Sequence, residues 1–169
     1  MSRHGLHEDD GDDSLAFGRW RGAVMSAIRG KRGQEFLREL ASALDAMPIK
    51  ELVPGELQDD DGRHCALGVL GERRGLSVAS MDVDDYDALA DALKVNAKIA
   101  QEVMWENDEH HYDEYADVVI CGPMPPYYFR PYGEKRHERS VRVPKPDAAH
   151  LRWQHMRDWV AKQLKEQTP

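Results

Sequence analysis

The chain has 169 residues, of which 41% are hydrophobic and 32% charged, and it carries a formal net charge of −8 at pH 7. A chain of this length can bury a core of its own, so one globular domain without disulfide staples is expected. It has no apolar run near the roughly 20 residues of a membrane-spanning helix, so we predict no membrane partner. Cys65 and Cys121 lack the spacing of a disulfide framework, which favours unpaired cysteines and a cytoplasmic protein.

The beginning of the chain is acidic and polar, without the apolar stretch of a signal peptide. We predict that residues 1–14 form a disordered acidic tail. Residues 15–169 are expected to form a single helical domain, with an insertion over 110–145.

Two helices are predicted after the tail. In residues 15–29, apolar side chains recur three or four positions apart and predict one buried stripe, formed by Phe17, Trp20, Val24 and Ile28. Residues 34–47 repeat this pattern. Gly30 and Gly33 interrupt it, so we expect an antiparallel or angled helix pair joined at Gly30–Gly33.

An irregular connection over residues 48–63 precedes a short predicted helix at 64–74. Its small residues Ala66, Gly68 and Gly71 allow neighbouring backbones to approach closely, which places this helix in the middle of the core. In that setting we interpret Cys65 as a buried space-filling residue rather than a nucleophile.

Two further predicted helices begin at polar residues that favour helix starts. Aspartates 82, 84 and 85 precede the first of these helices, and Asn96 precedes the second. Their inward residues are Tyr86, Leu89, Ala90 and Leu93 in the first, and Ile99, Ala100, Val103 and Met104 in the second.

The insertion has a different composition. Residues 118–121, 127–129 and 140–143 favour short strands, whereas the prolines between positions 123 and 146 exclude a long helix. We therefore expect an irregular Pro- and Tyr-rich arm, or a small β-hairpin, near 118–145. A last helix is predicted after Pro146, with its inward residues at Trp153, Met156, Trp159, Val160 and Leu164.

The predicted fold class is thus mainly α, a compact bundle of about five to six short helices. Charge is segregated along this fold: residues 19–38 carry six basic side chains against Glu35, and residues 82–117 carry twelve carboxylates against two lysines. Such segments either dock on each other or form a partner surface. The candidate binding residues of the basic segment are Arg19, Arg21, Arg29, Lys31 and Arg32.

A second candidate binding set lies in the insertion, where Tyr127, Tyr128 and Phe129 precede Arg130. These aromatic residues are suited both to stacking on bases and to anchoring a protein interface.

A third cluster joins carboxylates and histidines at the end of the fifth predicted helix: Asn107, Asp108, His110, His111 and Asp113. Adjacent histidines point about 100° apart on a helix, whereas a zinc-binding helix needs them four residues apart. We therefore predict no metal and no cofactor. Asn107 and Asp108 are interpreted as side chains that hydrogen-bond free backbone groups at a solvated helix end.

Several short motifs, in this order, resemble those of a group of small proteins from tailed bacteriophages and prophages whose function is unknown. They are Lys31-Arg32-Gly33-Gln34, Cys65-Ala66-Leu67-Gly68, Asn107-Asp108-Glu109 and Arg157-Asp158-Trp159-Val160. The resemblance covers about residues 15–109 and the last helix. It implies a phage origin and expression in the host cytoplasm, and it assigns no catalytic residue.

From these observations we expect a non-enzymatic phage accessory protein that binds a host or phage macromolecule, in first place a protein, as an inhibitor of a bacterial defence system. One alternative is a nucleic-acid-binding module that uses the basic segment 19–38. The other is a metal-dependent enzyme that uses the cluster at 106–114. The sequence leaves the oligomeric state open.

Overall fold

The computed structural model describes residues 14–109, 115–121 and 138–164. Six helices and one pair of strands occur in these ranges. In chain order they are α1 (Ser14–Arg29), α2 (Lys31–Ala46), α3 (Ala66–Arg73), α4 (Tyr86–Ala92), α5 (Ala97–Asp108), β1 (Tyr115–Cys121), β2 (Glu138–Pro144) and α6 (Ala148–Gln163). The predicted mainly α fold with a small hairpin is confirmed. Apart from Ser14, the predicted tail lies outside the described residues.

The described residues group into two compact units. The first comprises residues 14–109 and 149–164 and holds the helical core. The second comprises residues 115–121 and 138–148 and holds the strand pair; it overlaps the insertion predicted over 110–145.

The first two helices are separated by Gly30 alone, so the prediction that Gly33 lies between them is wrong. Gly33 belongs to the first turn of α2 and is buried. A side chain at this position would place its Cβ 2.1 Å from the carbonyl oxygen of Ala27 in α1. The absence of a side chain therefore lets α2 begin directly against the last turns of α1.

The predicted buried stripe of α1 holds for Trp20, Val24 and Ile28. Phe17 is the exception, with 37% of its surface exposed. Its ring stacks on that of Trp20 with centroids 6.2 Å apart, and the Arg21 guanidinium lies 5.8 Å above it. At the start of α1, Phe17 covers the outer side of Trp20 instead of entering the core.

Helix α3 lies in the core, as its small residues predicted. Gly68 packs so closely on the irregular segment before it that a Cβ there would lie 1.9 Å from the carbonyl oxygen of Leu57. The helix is capped by the Cys65 side chain, whose Sγ accepts a hydrogen bond from the N–H of Gly68 at 3.4 Å.

The starts of α4 and α5 follow the predicted capping chemistry. Asp85 accepts a hydrogen bond from the N–H of Ala88 at 2.9 Å, and Asn96 accepts one from the N–H of Lys98 at 2.9 Å. Ile99, Ala100, Val103 and Met104 of α5 are buried, as predicted.

Helix α6 runs antiparallel to α2. The side chain of Gln34, near the start of α2, donates to the carbonyl of Gln163 at the end of α6, at 3.0 Å. Near the end of α2, the carbonyl of Leu44 accepts from the indole N–H of Trp153 at 3.1 Å. The end of α6 is thus fixed to the start of α2, and the first half of α6 to the last turn of α2.

In the second unit, β1 and β2 pair antiparallel over seven residues, from Tyr115 opposite Pro144 to Cys121 opposite Glu138. Because side chains alternate between the faces of a strand, the pairs Ala116–Val143 and Val118–Val141 lie on one face. We call these four residues the apolar hairpin face. The opposite face carries the mixed pair Asp117–Arg142.

Candidate functional site

The basic residues of the segment 19–38 are exposed but do not form one cluster. Arg19 and Arg29 are ten residues apart on α1, which corresponds to about 15 Å along the helix. Lys31 and Arg32 lie at the start of α2, where they line a groove of about 970 Å³. The structure thus brings two of the predicted binding residues into a concave site, and that site does not include Arg19, Arg21 or Arg29.

The groove is walled by the last turn of α1, the first half of α2, the end of α3 and the junction between α4 and α5. Two charged side chains of its lining pair with each other: Arg74 donates from Nε to Glu39 Oε1 at 2.8 Å, and a second guanidinium nitrogen also reaches Glu39. The hydrogen bond from Arg74 lowers the pKa of Glu39. Arg74 also donates to the carbonyl of Leu93 at the end of α4. This pair therefore ties α2, α3 and α4 together in the lining of the groove.

The acidic end of α5 lies elsewhere and has a different role. Asn107 is 1% exposed, so the prediction of a solvated helix end is wrong at this residue. Its side chain accepts from the N–H of Ala66 at 3.2 Å and donates to the carbonyl of Val53 at 2.9 Å. The prediction that Asn107 hydrogen-bonds backbone groups is confirmed, and those groups belong to distant segments in the interior.

Asp108, which is half-buried, extends this connection to the exposed Gly55 in the segment before α3. Its Oδ1 accepts from the N–H of Gly55 at 3.1 Å and from the side chain of Asn107 at 2.7 Å. Burial raises the pKa of Asp108 above its usual value. Its hydrogen bonds are those of a side chain that fixes the loop at Gly55.

Arg152 completes the cluster from α6 and was not singled out by the sequence analysis. It is 2% exposed, and it donates to the carbonyls of Asn107 at 3.1 Å and Leu52 at 2.9 Å. We call Asn107, Asp108 and Arg152 the polar clamp. The sequence does indicate this burial, because Arg152 precedes the buried Met156 by four residues and therefore lies on the apolar side of its helix.

The sequence analysis also did not identify Glu106, a buried carboxylate next to this clamp. Glu106 of α5 is buried, and its Oε2 lies 3.0 Å from Nε2 of His155 on α6. The pair joins the same two helices as Arg152 does, so polar contacts hold this end of α5 against α6.

The remaining residues of the predicted ligand cluster, His110, His111 and Asp113, lie outside the described residues. Within residues 14–109, 115–121 and 138–164, no three His, Cys, Asp or Glu side chains are placed to hold a metal ion. A metal-dependent enzyme at 106–114 stays a prediction, but two of its described residues, Asn107 and Asp108, are engaged in the polar clamp.

Cys65 is fully buried, as predicted for a space-filling residue. Its Sγ lies 3.8 Å from Sδ of Met104 on α5. Burial raises the pKa of the Cys65 thiol to about 12, so the thiolate is scarce near neutral pH. This environment is unsuited to a nucleophile.

The aromatic binding set, Tyr127, Tyr128, Phe129 and Arg130, lies outside the described residues. In the chain these residues fall between Cys121, where β1 ends, and Glu138, where β2 begins. The apolar hairpin face on those strands is exposed at Val118, by 42%, and at Val143, by 40%. The hairpin is therefore a second candidate binding region, made of apolar rather than basic side chains.

Comparison with protein-family models, with curated proteins and with solved structures finds no match to this chain. Among the described residues, no helix is long and apolar enough to cross a bilayer.

Proposed function

We propose that the protein is a non-enzymatic accessory protein that binds another protein through its hairpin unit. The observation that carries this proposal is the exposed apolar hairpin face on a strand pair that forms a compact unit of its own. Exposed apolar side chains that lie side by side are typical of surfaces that a partner covers. A two-stranded sheet is also only marginally stable by itself in water, so a covering partner would stabilise it.

The chemistry of the hairpin favours a protein over a nucleic acid as the partner. In the hairpin, the exposed side chains of the apolar face are Val118 and Val143, which carry no charge. Its charges on the mixed face are of both signs, since Asp117 is paired opposite Arg142. A surface that follows a phosphate backbone would instead carry clustered lysines and arginines.

The basic segment offers less support for the nucleic-acid alternative. Arg21 lies over the ring of Phe17, and Lys31 is within 4.0 Å of Glu35. Since Arg19, Arg21 and Arg29 are also spread along and around α1, they do not present one continuous basic face.

The target process is proposed from the resemblance to proteins of tailed phages. A small phage protein with an exposed binding hairpin fits a role as an inhibitor of a bacterial defence system. Such an inhibitor would act in the cytoplasm of the host, and its partner would be a host or phage protein.

An affinity purification from bacterial lysate tests this proposal. The tagged full chain is compared with a variant that lacks the hairpin residues 115–144 and with an Arg19→Ala/Arg21→Ala variant, all after nuclease treatment. We expect a protein that is enriched by the full chain and by the arginine variant but not by the deletion variant. No enriched protein, or enrichment that is indifferent to the deletion, would contradict the proposal.

A further inference from the structure

The groove at the start of α2 contains cations that the fold does not neutralise. Arg32 and Lys94 line it and are exposed. Within the described part of the chain, neither has an acidic partner, whereas Lys31 lies near Glu35 and Arg74 is bound to Glu39. Asp91 is the one other carboxylate in the lining. After the internal pairs are set aside, two cations face one anion, in a chain whose net charge is −8.

The backbone of Lys94 has an unusual conformation for its residue type. Its φ is +50°, and it is the one non-glycine residue among those described with a positive φ. Lys94 follows the C-cap of α4, and the N–H of Val95 donates to the carbonyl of Ala90 at 2.9 Å. This helix ending normally has glycine at the left-handed position, where an L side chain costs about 1 kcal/mol or more. A lysine here is unfavourable for the fold, and this lysine lines the groove.

The start of α2 adds backbone donors to the same groove. Its N-cap is Gly30, which provides no side-chain cap. The N–H groups of Lys31, Arg32 and Gly33 precede the first hydrogen bond of the helix, which runs from the N–H of Gln34 to the carbonyl of Gly30. These three residues line the groove together with Lys94.

From the cavity, its unpaired cations and these donors, we infer that the groove binds a phosphate-bearing small molecule. Arg32 and Lys94 contact the phosphate oxygens, and the first turn of α2 donates to them through its backbone. A volume of about 970 Å³ accommodates a ligand of nucleotide size. This site is distinct from the apolar hairpin face and does not depend on the function proposed for it.

Isothermal titration calorimetry at low salt tests the inference with the full chain. The probes are inorganic pyrophosphate, a nucleoside diphosphate and a sugar phosphate, with sodium sulfate as the control for simple anion binding. We expect at least one phosphate probe to bind with a dissociation constant below about 1 mM, and sulfate to bind at least about tenfold more weakly. The ranking of the three probes separates nucleotide from sugar recognition.

Variants identify the groove as the site. Arg32→Ala and Lys94→Gly should each weaken binding by about tenfold, and Asp91→Asn should tighten it. Arg38→Ala is the matched control, because Arg38 is an exposed arginine on the same helix that does not line the groove. Lys94→Gly places glycine at the left-handed position, where it has no steric cost. The melting temperature of this variant should therefore equal or exceed that of the wild type.

Three outcomes would overturn the inference. The first is no binding of any phosphate probe at about 10 mM, far above the affinity of a specific site. The second is an equal loss in Arg38→Ala, which would indicate unspecific charge attraction. The third is binding of a DNA or RNA oligonucleotide without binding of the small probes.

Discussion

The side-chain oxygen of Asn107 accepts a hydrogen bond from the backbone N–H of Ala66, 41 residues earlier in the chain, at 3.2 Å. The same carboxamide donates to the carbonyl of Val53. One side chain at the end of α5 therefore fixes both the start of α3 and the irregular segment before it. Because Asn107 is buried, water cannot replace these bonds when the side chain changes.

The first prediction concerns this buried amide. Asn107→Asp keeps an acceptor for Ala66 but replaces the amide donor with an oxygen that faces the carbonyl of Val53 and the carboxylate of Asp108. We expect a loss of about 3 kcal/mol or more in the free energy of unfolding, measured by urea denaturation. Asn96→Asp is the matched control. Asn96 is an exposed N-cap, where aspartate is equally suitable, so its stability should change by less than about 0.5 kcal/mol.

The second prediction concerns glycines that allow close packing. Gly68→Ala would place a Cβ 1.9 Å from a backbone oxygen, so α3 or the Leu57 segment must move. We expect the free energy of unfolding to fall by about 2–4 kcal/mol. Gly22→Ala, on the exposed side of α1 with no atom within 4 Å, should instead gain about 0.5–1 kcal/mol. Thermal melting of the two variants checks the opposite signs, and a loss in both would contradict the packing explanation.

The third prediction concerns the reactivity of Cys65. In a Cys121→Ser background, which leaves Cys65 as the one thiol, a disulfide reagent at pH 8 should react only after the protein unfolds. The reasons are full burial and a pKa raised to about 12. Reaction should become fast in about 6 M guanidinium chloride, a concentration that unfolds most domains. Rapid labelling of the folded protein would place Cys65 outside the core.

The fourth prediction is a dependence of stability on acid. Arg74 lowers the pKa of Glu39 from 4.5, and Arg157, which donates to Asp45 at 2.6 Å, lowers the pKa of Asp45 from 3.8. Since both folded values lie below the unfolded ones, these pairs stabilise the fold above about pH 4.5. Their contribution is lost as the pH falls through the lowered values.

Melting curves between pH 6 and pH 3 check this prediction. The Glu39→Gln/Asp45→Asn variant should lose less stability than the wild type over that range. Because both carboxylates are partly exposed, each pair should contribute only about 0.2–1 kcal/mol at neutral pH, and less in high salt. Parallel curves for the two proteins would show that other groups determine the acid sensitivity.

The sequence predicted the helices well because their signals are local. Capping residues such as Asn96 and the apolar spacing of α5 depend only on neighbours within a few positions. The segment around Leu52 and Leu57 was predicted as a plain connection, yet both leucines are buried. The apolar residues of this segment follow no helical or strand period that would indicate burial. Its backbone carbonyls are instead satisfied by side chains far away in the chain, Asn107 and Arg152, and no local pattern predicts such contacts.

The candidate sites show the same difference between local signals, which the sequence reveals, and contacts between distant segments, which it does not. Lys31 and Arg32 could be identified from charge and from the glycines around them. Lys94 could not, because its role in the groove depends on the left-handed end of α4 and on the approach of α4 to the start of α2. The strand pair could be predicted from β-branched residues, but the residues that share its apolar face depend on the register of β1 and β2.

The most direct test of the account is the affinity for the captured partner protein, measured with variants of the two hairpin faces. Val118→Thr/Val143→Thr removes apolar surface from one face and keeps β-branched residues, so the strands should be retained. The matched control is Val119→Thr on the opposite face, where Val119 is 59% exposed. We predict that the double variant binds the partner at least about tenfold more weakly and that the control stays within about twofold of the wild type. Equal affinities for all three proteins would contradict binding through the apolar hairpin face.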